Sequence, residues 1–189
     1  MKTITQALSI KICYGVIFVM LFQVYAFSQG AHNQPDWSSF EFLFGSWEGG
    51  GSGNPGEGKG SFTFDKDLDG KILLRKNLSE YPATKTHVAF THKDLLIIYP
   101  GNTDTSYAIY FDNEGHSIHY SVFAETDKQV ILLSEVSMSS PRFRLTYQKI
   151  STDSLSIRFD IAPPGKPMNF NSYLTGIVHR VKEQAGKEE

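Results

Sequence analysis

The sequence predicts an all-β protein: a single antiparallel up-and-down β-barrel of about ten strands with a short N-terminal helix. Three observations carry this expectation. From Gly45 onward the chain consists of short runs rich in β-branched and aromatic residues, broken by turn residues at regular intervals. Two late runs alternate strictly. Phe143, Leu145 and Tyr147 interleave with Arg142, Arg144, Thr146 and Gln148, and Leu155, Ile157, Phe159 and Ile161 with Ser156, Arg158 and Asp160. Period two with one polar face means one face packed and one wet. Finally, the short hairpins follow one another with no repeat or linker, and so long a meander hides its two edges most simply by pairing its first strand with its last.

Residues 1–28 precede this pattern and differ from it. Lys2 and Lys11 are their only charges, an apolar run from Ile12 to Phe22 continues past Gln23 to Phe27, and Ala26-Phe27-Ser28 places small residues at the two positions a signal peptidase reads. This is the pattern of a secretory signal cleaved before Gln29. The competing reading, an uncleaved anchor, must accommodate Gln23 within a run already short for a membrane span. Cleavage takes the net charge from -2 to -4 by removing the two lysines, and it removes Cys13, the one cysteine. The remaining chain then has no thiolate nucleophile, disulfide or sulfur ligand, and no stable membrane insertion is expected. Export to the periplasm or the exterior follows, with 29–36 a flexible lead, 37–182 the barrel and 183–189 a disordered tail.

The elements follow in order. Pro35 or Asp36 starts a short helix that packs Trp37, Phe40 and Phe44 on something apolar. Turns are expected at Asn54-Pro55-Gly56, Asp69-Gly70, Pro82, His92-Lys93-Asp94, Gly101-Asn102, Asp112 to Gly115, Asp127, Ser139-Ser140-Pro141, Thr152-Asp153 and Pro163-Pro164-Gly165. The turn at Asp112 to Gly115 separates Tyr107–Phe111 from Ile118–Val122 as a hairpin. Half of the 16 glycines lie between Gly45 and Gly60. Read as a strand, this segment points Trp47, Gly49, Gly51 and Gly53 to one side: one large ring and then bare backbone. Such a face suits the close approach of another body or a sharp barrel bend, and equally a strongly coiled strand or loop.

Phe42-Leu43-Phe44-Gly45-Ser46-Trp47 resembles the opening of the lipocalin and fatty-acid-binding-like barrels, where a short helix precedes a Gly-x-Trp at the start of the first strand. Its continuation through Gly49, Gly51 and Gly53 is similar to nitrobindin-like haem-binding barrels, and Arg180 matches the arginine that lipocalins place against that tryptophan. The resemblance implies a barrel carrying a hydrophobic ligand, with Trp47 and Arg180 closing it. The haem histidine of the nitrobindin-like proteins has no counterpart here: the matching neighbourhood holds Asn171, Ser172 and Tyr173. Haem, with Tyr173 as an axial ligand, therefore ranks below a generic apolar ligand, and no cofactor is expected.

Other chemistries are poorly supported. With 20% charged residues scattered along the chain and a net charge of -2, no basic stripe exists for nucleic acid. Gly51 to Gly56 fits Gly-x-Gly-x-x-Gly, but no helix follows to hold a phosphate. Asp65 to Gly70 copies half a calcium loop, yet Lys76 stands where a bidentate glutamate is needed. His87 and His92, and His116 and His119, are odd distances apart, so neither pair chelates one ion from a regular strand. No nucleophile elbow or acid–base pair appears, so the protein is read as non-catalytic. The face bearing Leu73, Arg75, Asn77, Ser79 and Tyr81 mixes apolar and hydrogen-bonding groups. Turned inward, Arg75 would meet an anionic ligand head; turned outward, it is a surface charge. The candidate ligand-binding set is Trp47, Gly49, Gly51, Arg75, Asn77, Tyr99, Tyr110, His119 and Tyr173, for a small hydrophobic or amphipathic molecule in the lumen. The alternatives are a tetrapyrrole binder and a barrel enzyme acting on its bound ligand, the latter needing a buried ionisable group beside it.

Overall fold

The computed structural model describes residues 34–182 except 86, 103–104 and 126–127; the expected signal, most of the lead, the tail and the turn at Asp127 lie outside the described residues. The chain divides between Gln34 and Pro35, and the barrel belongs to the second unit. Ten antiparallel strands form a closed barrel in which each neighbours the next and the last pairs with the first. They are β1 (Gly45–Gly53), β2 (Gly58–Asp67), β3 (Ile72–Tyr81), β4 (Phe90–Pro100), β5 (Ser106–Asp112), β6 (Ser117–Glu125), β7 (Gln129–Ser134), β8 (Arg142–Ser151), β9 (Ser154–Ala162) and β10 (Asn171–Arg180).

The expected helix is a single 3₁₀ segment, Ser38–Leu43, whose entry is fixed by the Asp36 carboxylate accepting the Ser38 N–H at 2.9 Å. It buries Phe40, Phe42 and Leu43 along with the preceding Trp37, while Phe44 is only half-buried. The shift is small and has a reason: three residues per turn, rather than 3.6, rotates a different set of side chains inward. Trp37 Nε1 donates to the Gly70 carbonyl at 2.8 Å, tying the helix to the β2–β3 turn. That turn runs through left-handed backbone at Leu68, Asp69 and Gly70, and the Asp67 carboxylate accepts the Leu68 N–H. The aspartates of the half calcium loop thus serve a hairpin.

Connections alternate between the two ends of such a meander, so the helix plugs the end where the β2–β3, β4–β5, β6–β7 and β8–β9 turns lie. Below it the lumen is solid. Trp47, Phe64, Leu73, Leu96, Ile98, Val130, Leu132, Tyr147 and Leu155 are fully buried in one continuous core. Trp47 Nε1 donates to the Leu43 carbonyl at 2.8 Å, and the Arg180 guanidinium stands 4.3 Å from the Trp47 ring centroid while donating to the Phe44 and Phe42 carbonyls. Trp47 and Arg180 are register partners across the β1–β10 seam, so this contact staples the strand ends and the helix together.

The glycine face of β1 explains how the seam is made. A Cβ on Gly49, Gly51 or Gly53 would lie 2.2 Å, 2.6 Å or 2.1 Å from the carbonyl oxygens of Ile177, Thr175 and Tyr173. The body that approaches is thus the backbone of β10, so the bare face serves barrel closure, and no ligand is admitted along the Cβ directions of Gly49 and Gly51. A further correction concerns His92-Lys93-Asp94, expected as a turn, which lies within β4 and continues its ladder to Asn77 and Asp112.

Candidate functional site

The end of the barrel opposite the helix is built differently. There the inward side chains of successive strands are polar: Arg75 and Asn77 on β3, His92 and Asp94 on β4, Tyr110 and Asp112 on β5. Strand register sets their neighbours, with Asn77 directly opposite Asp94 and Asp94 directly opposite Asp112. Arg75 and Asp94 form an ion pair with side chains only 6% and 3% exposed. The other guanidinium terminus donates to the Tyr147 hydroxyl across the lumen, and the cation stands 6.0 Å from the Phe62 ring centroid. Asp94 Oδ2 accepts from Asn77 Nδ2 at 2.8 Å and lies 3.4 Å from His92 Nε2.

The network continues to the rim. His92 Nε2 meets the Tyr110 hydroxyl at 2.9 Å and its Nδ1 meets Glu114 of the β5–β6 turn at 2.8 Å. Tyr110 donates in turn to Asp112 Oδ2 at 3.2 Å, which also receives His116 Nδ1 at 2.9 Å. Hydrogen bonding to Asp94, then to Glu114, with both carboxylate charges, outweighs burial and pushes the His92 imidazole up to about 9. It is therefore an imidazolium at neutral pH, a donor at both nitrogens. Burial pulls the Asp94 carboxyl upward, but the Arg75 charge and the bonds from His92 and Arg75 hold it below the usual value. Burial, followed by the Asp94 and Asp112 charges, pushes the Tyr110 hydroxyl far above the usual phenol range. Within this dense set one polar atom is left over. Arg75 Nε is the only buried side-chain nitrogen or oxygen without a hydrogen-bond partner among the described residues.

Above this floor the walls are apolar and only half-buried. Ile118 on β6, Phe143 on β8, Ile157 and Phe159 on β9 and Leu174 on β10 point inward yet retain exposure. Tyr173 is the extra residue of a bulge between Ser172 and Leu174, and its ring packs edge-on against Phe159 at 6.0 Å. Tyr81 and Phe90 stack at 4.6 Å between centroids on the opposite side of the mouth. Beside them, Gly50, Gly51 and Gly58 help line a rim cleft of about 870 Å³.

Of the residues predicted from sequence, Arg75, Asn77 and Tyr110 come together on the floor and Tyr173 stands at the mouth. Trp47 is sealed in the plugged half. Tyr99 and His119 do not reach the lumen: they sit on the outer face, one position out of phase with the buried Ile98 and Tyr120. His92, Asp94, Asp112, Tyr120 and Tyr147 were missed. Their signal was parity: Tyr120 and Tyr147 share a face with buried neighbours two residues away, and Asn77 implicates whatever lies opposite it.

No protein-family model and no curated protein matches the chain. Among solved structures it is similar to an S-type phycobiliprotein lyase from Guillardia theta, at 11% identity over 77% of this chain and 92% of that one, with a TM-score of 0.45. It is also similar to a de novo designed fluorescence-activating β-barrel, at 12% identity over 76% of this chain and 98% of that one, with a TM-score of 0.41. A protein solved bound to DFHBI matches at 12% identity over the same shares, with a TM-score of 0.35.

Proposed function

We propose that the open half of the barrel is a cup for a small hydrophobic or amphipathic molecule, held without covalent chemistry by a protein exported to the periplasm or the exterior. One observation carries the reading: inward-facing apolar walls remain half-exposed directly above a buried polar floor. Natural cores bury their inward apolar side chains, as the plugged half does, and a concave apolar site with a few convergent polar groups is the usual form of a ligand site. Histidine-ligated haem does not fit these residues. Among the described residues His92 is the histidine aimed into the barrel, and both its ring nitrogens are engaged.

A second reading, an enzyme acting on its bound hydrophobic substrate, is favoured by the His92–Tyr110–Asp112 chain of hydrogen bonds, which puts an ionisable group beside the cup. Native mass spectrometry of the purified protein, with an absorption spectrum, tests the first. A retained lipid-sized mass without a visible band is the expected result. A visible band would replace the reading with tetrapyrrole binding, and a protein that stays clean after incubation with long-chain alcohols, esters, fatty acids and haemin would overturn it. Conversion of the retained molecule that stops in Tyr110→Phe while binding persists would establish the enzyme instead.

A further inference from the structure

Granting that the open half is a binding cup, we infer that the polar end of its ligand is an uncharged hydrogen-bond acceptor, such as an alcohol, ketone or ester oxygen, and not a carboxylate. An arginine in a barrel lumen invites the opposite assignment, but here its charge is already taken. Asp94 pairs with one terminal nitrogen and the Tyr147 hydroxyl accepts from the other. The remaining charges facing the floor leave no positive excess: Arg75 from β3 and His92 from β4 are balanced by Asp94 from β4 and Asp112 from β5, with Glu114 on the outer nitrogen of His92. β6 and β8 contribute the hydroxyl-bearing rings of Tyr120 and Tyr147, both held neutral by burial. A carboxylate brought here would lose its water and meet two carboxylates with no unpaired cation, an arrangement that costs more than it returns.

What the floor does offer is donors without a free charge: an N–H of Arg75, and the Tyr147 hydroxyl, which accepts from Arg75 and keeps its own O–H. Arg75 Nε carries an N–H, is buried and has no acceptor. Donors beside a neutralised ion pair suit the lone pairs of an uncharged oxygen, whereas a carboxylate also needs its charge offset. The half-exposed Phe143, Phe159 and Leu174 then receive the apolar remainder.

Isothermal titration of the protein at neutral pH with decane, decan-1-ol and decanoate tests this. The expected order is decanol tightest, with decane and decanoate each weaker by about tenfold or more. A cup without a polar anchor would take decane at least as well as decanol, and that result overturns the inference. So does decanoate equal to or tighter than decanol. Asp94→Asn keeps the shape and frees the charge of Arg75, so the ratio of decanoate to decanol affinity should rise by about tenfold; an unchanged ratio overturns the inference too, and the wild-type order decides alone if the variant does not fold. If none of the three binds, the cup reading itself falls and the inference falls with it, an outcome distinct from binding in the wrong order.

Discussion

The two halves of this barrel are made from the same ten strands but solve opposite problems. In the half under the 3₁₀ helix, Trp47, Phe64, Leu73, Ile98, Val130 and Leu155 are fully buried, and the polar contacts there join Trp47 and Arg180 to backbone carbonyls at the seam. In the other half, Arg75, Asp94, His92 and Tyr110 are bonded to one another within the lumen, and the apolar residues around them keep exposure. The first arrangement gains free energy from burial and packing. The second spends it on desolvating charges, which an apolar core of equal volume would not require. A protein under selection for stability alone has no reason to keep the second.

That contrast is sharpest in mutational cost. Trp47→Ala removes a fully buried ring, its hydrogen bond to Leu43 and its contact with Arg180, and should destabilise by about 5 kcal/mol in urea denaturation. A loss below about 1 kcal/mol would mean that the plugged half is not the part that holds the fold. Asp94→Leu strands the Arg75 charge in the lumen and should cost about 3 kcal/mol. The double variant Arg75→Met with Asp94→Leu should recover most of that loss while abolishing ligand retention. Recovery of stability with retention intact would break the comparison, because the polar floor would then serve neither purpose.

The legibility of the two halves differs for a related reason. Period two shows in a sequence only where one face is apolar and the other wet. β8 and β9 come nearest to that condition, with Asp160, buried between Arg144 and Arg158, the exception on the polar face, and their inward residues could be read directly. On β4, Thr91, His92, Lys93 and Asp94 are polar on both faces, since His92 and Asp94 line the lumen while Lys93 faces water, so the alternation vanishes and the segment reads as a turn. Farther along β4, Leu95 to Ile98 are apolar on both faces, so no alternation marks the phase, and the sequence reading puts Tyr99 in the lumen although it sits on the outer face. His119 was legible in principle, because Ile118, Tyr120 and Val122 mark the inner face on either side of it. The Trp47–Arg180 seam was visible through the resemblance of the Gly-x-Trp opening and the late arginine to lipocalins, which does not depend on phase. The partners of Arg75 were not, because they are set by strand register.

A smaller effect separates the halves by pH. The folded state holds the His92 proton up to about 9 against an ordinary value of 6.5, so its contribution to stability is fully present below 6.5 and is lost as the pH rises through about 9. Asp94 and Asp112 are shifted the other way, and their contributions are present above the ordinary carboxylate range and fade as pH falls. The Tm should therefore be flat from just above the carboxylate range to 6.5 and decline modestly toward 9. Its size is limited by the partial exposure of His92 and Glu114. His92→Asn should flatten the alkaline decline, and a decline that persists unchanged in that variant would assign the titration to another group.

The smallest expected effect is a test of phase within the open half. Tyr110 and His119 lie on adjacent strands one register step apart: Tyr110 pairs with Ile118, and Ile109 with His119. One step reverses the face, so Tyr110 reaches His92 and Asp112 in the lumen while His119 is exposed outside. Tyr110→Phe should retain the fold, lower the pH at which His92 titrates by removing an acceptor from its Nε2, and weaken capture of a polar-ended ligand. His119→Ala should change stability by no more than about 0.5 kcal/mol and leave capture untouched. An NMR titration of the His92 ring, run beside ligand binding, reads both. If the two variants behave alike, the face assigned to the lumen on β5 and β6 is wrong, and the cup has been placed on the wrong side of the sheet.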